Sequence, residues 1–85
     1  MSGAPIRVAL ADDQALVRAG LGALLQGLGV QVVLEAEDGQ ALLDALATQP
    51  VDVVVSDIRM PGLDGIEALR QLRARGDATP CLLLT

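Results

Sequence analysis

The sequence predicts a single α/β domain built around an open parallel sheet, and three observations carry that reading. Short aliphatic runs alternate with longer segments whose apolar residues recur every three or four positions, giving the order β-α-β-α-β-α-β. Runs such as Ile6 to Ala11, Val51 to Ser56 and Cys81 to Leu84 are apolar almost throughout, as strands covered on both faces are. The first and third runs end in aspartate, Asp12-Asp13 and Asp57, so a sheet in which they are parallel strands brings three carboxylates to one edge.

The first strand, Ile6 to Ala11, leads into a helix expected from about Gln14 to Leu28. Val17, Leu21, Leu24 and Leu28 follow the spacing of one helix face, and Leu16 and Leu25 widen it. Gly29 stops that helix, as a glycine past a helix end commonly does. Gln31 to Ala36 reads as the second strand. Asp38 can cap a helix from about Gly39 to Thr48 whose apolar side carries Leu42, Leu43 and Leu46. Pro50 marks the break before the strand that ends in Asp57. A third helix starts behind Asp64, turns Ile66, Leu69 and Leu72 inward, and ends near Gly76 with Arg70, Arg73 and Arg75 toward its negative end. Cys81 to Leu84 is the fourth strand. Right-handed crossovers then place helices on the sheet faces, and ligands of such sheets bind outside the carboxyl ends of the strands, where strand order reverses.

Composition narrows the function. A chain of 85 residues, 52% hydrophobic and 20% charged, is a folded domain of modest size with a thin stability margin. A net charge of -5 argues that this segment does not itself hold nucleic acid, which needs a basic surface to replace counterions around phosphates. No apolar run approaches the roughly 20 residues needed to cross a bilayer. Met1 to Pro5 lacks the basic start and apolar core of a secretory signal, so a cytoplasmic location is expected. Cys81, the only cysteine, excludes an intramolecular disulfide and reads as a small buried side chain. The chain has no His, Phe, Tyr or Trp, which removes the usual imidazole base and leaves an aliphatic core. No Ser-His-Asp or Cys-His site can be assembled from it.

The acidic edge is the chemistry that remains. Two carboxylates about 4 Å apart repel by roughly 4 kcal/mol at an effective dielectric near 20, so a fold that gathers three calls for a cation among them. Mg²⁺ suits such oxygen donors, taking one or two carboxylates and keeping several waters. A nearby cation also keeps a carboxylate ionised, and an ionised Asp57 could attack phosphorus. Taken singly, Asp12 or Asp13 could be a helix cap and Asp57 a strand end. Together, and followed by the Pro- and Gly-containing loop Ile58-Arg59-Met60-Pro61-Gly62-Leu63-Asp64-Gly65, they favour metal and phosphoryl chemistry. Gly20-Leu21-Gly22 begins like a dinucleotide fingerprint, but Leu25 stands where the third Gly is required and the run lies inside a helix.

At Leu10-Ala11-Asp12-Asp13, at Val54-Val55-Ser56-Asp57 with the loop to Gly65, and at Leu82-Leu83-Leu84-Thr85, the chain resembles a bacterial response-regulator receiver domain. Ala15-Leu16-Val17-Arg18-Ala19-Gly20-Leu21 further resembles receivers that precede a LuxR-type helix-turn-helix. The resemblance implies a flavodoxin-like, three-layer αβα fold with a parallel sheet of order 2-1-3-4. It implies that Asp57 accepts phosphate from a histidine kinase as an acyl phosphate. Asp13 and Asp57 would bind Mg²⁺ directly, Asp12 directly or through water, and the Arg59 carbonyl would supply another oxygen. Thr85 matches the hydroxyl residue that turns toward the phosphoryl group.

A receiver continues through a helix, a fifth strand with Lys and an aromatic switch residue, and a last helix, whereas this sequence stops at Thr85 and contains no Lys. Residues 1–85 are therefore expected to be one partial receiver domain lacking its last helix-strand-helix elements. Aliphatic surface left uncovered would favour a homodimer or larger assembly. DNA would be reached only through a domain absent from this chain, and no membrane partner is expected. Three function classes stay open: a phosphorylation-controlled signalling module, a Mg²⁺-dependent phosphohydrolase, and an interaction domain that never uses Asp57. An enzyme is disfavoured, since no His or Lys accompanies the carboxylates and no Asp-x-Asp pattern ends the first strand.

Overall fold

The computed structural model describes residues 4–84. In chain order these form β1 (Arg7–Ala11), α1 (Ala15–Gly27), β2 (Gln31–Ala36), α2 (Gly39–Leu46), β3 (Val53–Asp57), α3 (Gly65–Ala74) and β4 (Cys81–Leu84). The strands are all parallel, in the order β2-β1-β3-β4. This is the flavodoxin-like arrangement expected from the sequence. The chain steps one way along the sheet from β1 to β2 and the other way from β2 onward. Right-handed crossovers convert that reversal into α1 on one face and α2 with α3 on the other.

Strand alternation sorts the core between the faces. Val8, Leu10 and Val55 pack with Leu21 and Leu25 of α1. Ala9, Ala11 and Val54 pack with Leu42, Leu43 and Leu46 of α2 and with Ala68 and Leu72 of α3. In β2 the pattern would fail without an irregularity, because Val32 belongs to the α1 cluster and Leu34 to the opposite one. The register supplies it: Val8 pairs with Val32 but Ala9 pairs with Leu34, so Val33 is an extra residue that reverses the facing of the residues beyond it.

Helix starts follow local chemistry. Asp38 Oδ1 accepts from the Ala41 N–H at 2.7 Å and Asp64 Oδ1 from the Glu67 N–H at 2.8 Å, each satisfying a donor that has no partner within its helix. Both caps were legible in the sequence. Burial of Leu10 and Leu72, each nearly inaccessible to water, contributes about 1.5–3 kcal/mol per side chain.

Two apolar faces differ from expectation. In α1 the inward residues are Leu21 and Leu25, while Leu16, Leu24 and Leu28 are 87%, 67% and 78% exposed. Counting Leu28 at its C-cap, six large aliphatic residues spread around this helix, and the sheet contacts only one stripe of them. In α3 the covered stripe is Gly65, Ala68 and Leu72, and Ile66 is 41% exposed. The small residues let the helix lie close to the sheet, which turns Ile66 outward. Cys81 is half-buried, its Sγ donates to the Thr79 carbonyl at 3.4 Å, and burial pushes its thiol pKa up. Among the described residues no helix is long and apolar enough to cross a membrane.

Candidate metal centre

The site grows directly out of the register between β1 and β3. Ala11 pairs with Ser56, so the next residue of each strand, Asp12 and Asp57, emerges side by side at the carboxyl edge of the sheet. Asp13 comes next, on the loop into α1. One carboxylate oxygen from each of Asp12, Asp13 and Asp57 lies within 4.8 Å of the others. Asp12 is buried, Asp57 half-buried and Asp13 exposed. All three acidic residues singled out in the sequence are thus brought together. Hard oxygen donors on a rigid sheet edge, open to solvent on the Asp13 side, fit a divalent cation that keeps part of its water shell.

Asp12 is held on every side. Its N–H donates to the Ala36 carbonyl at 3.0 Å and its Oδ1 accepts from the Gln14 N–H at 2.9 Å. Its carbonyl oxygen accepts from Arg18 Nη1 at 2.6 Å. The carboxylate therefore shapes the turn into α1, whereas Gln14, the residue at the helix cap position, makes no side-chain capping bond.

Asp57 is positioned by the loop behind it. Its Oδ1 accepts from the Arg59 N–H at 3.3 Å, which brings the Arg59 backbone to the site, and its carbonyl accepts from the buried Ser56 hydroxyl at 2.9 Å. The Ile58 N–H reaches the Leu84 carbonyl at 3.0 Å, and the Ile58 carbonyl accepts from the Gly65 N–H at 2.9 Å. Met60 is buried in the core beneath α2 and α3. The Leu63 carbonyl accepts from the Gly39 N–H at 3.0 Å, tying the loop to the start of α2. Gly65 has a steric reason to be glycine: a Cβ there would strike the Asp57 carbonyl oxygen and come within 3.1 Å of the Ile58 Cα. The start of α3 thus rests on the backbone of Asp57.

A groove beside the carboxylates is lined by Asp12, Gln14, Val17, Leu21, Asp57 and Leu84. Thr85, expected to supply a hydroxyl here, lies outside the described residues. Sequence reasoning gave no role to Arg18 or Glu35, which stand against the site. The available signal was that Arg18 is the only charged residue in α1.

Comparison with known proteins agrees with this geometry. The response regulator receiver domain family matches residues 8–85. Response regulator MprA of Mycolicibacterium vanbaalenii is 46% identical over 81 residues, which cover 95% of this chain and 35% of MprA. The chain thus spans about a third of the length of the curated relatives it matches. The signal receiver domain of NarL from Mycobacterium tuberculosis superposes with a TM-score of 0.86 at 38% identity, over 95% of this chain and 66% of that one. A LuxR-family two-component response regulator from Aurantimonas gives 0.88 at 35% identity, over 93% and 57%. Fold, acidic edge and sequence converge, and the chain belongs to the response regulator receiver domain family.

Proposed function

We propose that this chain is the phosphorylatable receiver of a two-component response regulator, with Asp57 as the phosphoacceptor. The observation that carries the reading is the convergence of Asp12, Asp13 and Asp57 within 4.8 Å, with Asp57 at a strand end and a pinned loop behind it. In the proposed step an Asp57 carboxylate oxygen attacks the phosphorus of a phosphohistidine on a histidine kinase. The new O–P bond makes an acyl phosphate as the P–N bond breaks, and its electron pair returns to the imidazole. Asp12, Asp13, Asp57 and the Arg59 carbonyl would hold Mg²⁺, which supplies charge compensation for the incoming phosphoryl oxygens. Asp12, buried and locked by three hydrogen bonds, keeps its place while Asp57 reacts. Thr85, one residue beyond Leu84 in the sequence, would offer its hydroxyl to the phosphoryl group.

The output proposed is transcription regulation through a DNA-binding domain elsewhere in the full-length regulator, in the cytoplasm. The chain's own net charge of -5 fits that division of labour. Homo-oligomerisation is part of the same reading, supported by the exposed Leu16, Leu24, Leu28 and Leu82.

The test is incubation with a small-molecule phosphodonor and Mg²⁺, then mass spectrometry. The expected result is one phosphoryl group mapped to Asp57, lost on chelation and in Asp57→Asn. No gain on Asp57, or gain on another residue only, overturns the assignment. Light scattering that shows a monomer at every concentration overturns the oligomer.

A further inference from the structure

Arg18 lies on the stripe of α1 that turns toward the sheet, and its side chain is only 19% exposed. Its guanidinium spans two groups. Nη1 donates to the Asp12 carbonyl at 2.6 Å, and Nε donates to Glu35 Oε1 at 3.2 Å. Glu35 is on β2, immediately before Ala36, whose carbonyl receives the Asp12 N–H.

The bonded carbonyl is half of the peptide plane that joins Asp12 to Asp13. Because that plane is rigid, fixing its oxygen also fixes the N–H and Cα of Asp13. Asp13 is exposed, and no side-chain hydrogen bond among the described residues holds its carboxylate. Its direction toward Asp12 and Asp57 depends on the backbone that carries it. A planar guanidinium with donors at fixed angles can hold two acceptors at once, which a lysine ammonium on a flexible stem does less well.

We propose that Arg18 is a positioning residue for the metal centre: held by Glu35, it locks the Asp12-Asp13 peptide so that both carboxylates meet Asp57 at cation-binding distance. The inference rests on the Mg²⁺ reading of the acidic edge and names what sets the affinity of that site. Two physical effects oppose each other here. Arg18 is a cation near a cation site, so its charge alone disfavours Mg²⁺. Its hydrogen bonds organise the ligands and favour Mg²⁺. Groups that orient metal ligands without touching the ion typically change affinity by about 10- to 100-fold, so positioning outweighs the partly solvated charge.

Calorimetric titration of the chain with Mg²⁺ decides between them. Arg18→Ala is expected to bind Mg²⁺ about tenfold more weakly, and Arg18→Lys, which keeps the charge and one donor, to fall between the two. Glu35→Gln is expected to weaken binding by a smaller factor. In phosphodonor assays Arg18→Ala should raise the Mg²⁺ concentration giving half-maximal rate while leaving the rate at saturating Mg²⁺ unchanged. General damage to the fold would lower that saturating rate. Arg18→Ala binding Mg²⁺ as tightly as the parent, or more tightly, overturns the proposal and leaves the phosphoacceptor reading standing. A parent chain that binds no Mg²⁺ overturns both.

Discussion

The face of the sheet that carries α2 and α3 holds eleven buried residues in one cluster, whereas the face that carries α1 holds three, Val8, Leu10 and Val55. Leucine-rich helices of similar apolar content, α2 and α1, lie on the two faces, and α2 is joined by the more polar α3. On the first, Leu42, Leu43 and Leu46 of α2 share one cluster with Ala68 and Leu72 of α3 and with Ala9 and Ala11 of β1, so a second helix as well as the sheet closes over them. On the second, α1 lies alone against the sheet and none of its residues is fully buried. Helix periodicity specifies that a stripe can be buried. How much of it is buried depends on how many elements converge on it.

Substitutions on the two faces test that contrast. Leu72→Ala removes a side chain that is 2% exposed between α3 and the sheet, and chemical denaturation is expected to show a loss of about 2–5 kcal/mol. A loss no larger than that of a surface substitution would break the comparison. A smaller effect is expected in the loop that carries the chain from α3 to β4. There Asp77 Oδ1 accepts from the Thr79 N–H at 2.9 Å and from its hydroxyl at 2.5 Å, and these bonds hold the carboxyl below its ordinary value of 3.8. A lowered folded pKa means stability that is fully present above pH 3.8 and lost as pH falls through the folded value. Asp77→Asn should therefore be less stable than the parent at neutral pH, with the difference shrinking below pH 3.8, as acid titrations followed by circular dichroism would show. The smallest change is expected on the open face. Leu24→Ala, at a position 67% exposed, should stay within about 0.5 kcal/mol of the parent in the same denaturation experiment.

Much of the architecture was legible because local signals agreed with one another. Continuous aliphatic runs marked parallel strands, Asp38 and Asp64 marked helix starts, and aspartates at two strand ends located the site. The features that escaped depend on tertiary packing. Ile66 fits the spacing of an inward face, yet Gly65 and Ala68 draw α3 so close to the sheet that it turns away. Leu24 and Leu28 carry the right residue type at the right spacing, but they lie to one side of the stripe that Leu21 and Leu25 press onto the sheet. Arg18 was visible as a lone charge in an apolar helix, but its two acceptors, 6 and 17 residues away, meet only once β1, α1 and β2 are assembled.

The extra residue in β2 carries a consequence for comparing this chain with its relatives. Val33 works as a phase shifter: upstream of it Val32 looks toward α1, downstream Leu34 and Ala36 look the other way. Deleting it would leave Val32 and Leu34 adjacent, so ordinary alternation would keep every later side chain in its layer and the pairing with β1 would become regular. A relative one residue shorter at this point therefore keeps the same core with the same hydrophobic pattern beyond the gap. A single-residue gap here marks loss of the bulge, whereas a gap elsewhere in β2 would move every later side chain to the other layer.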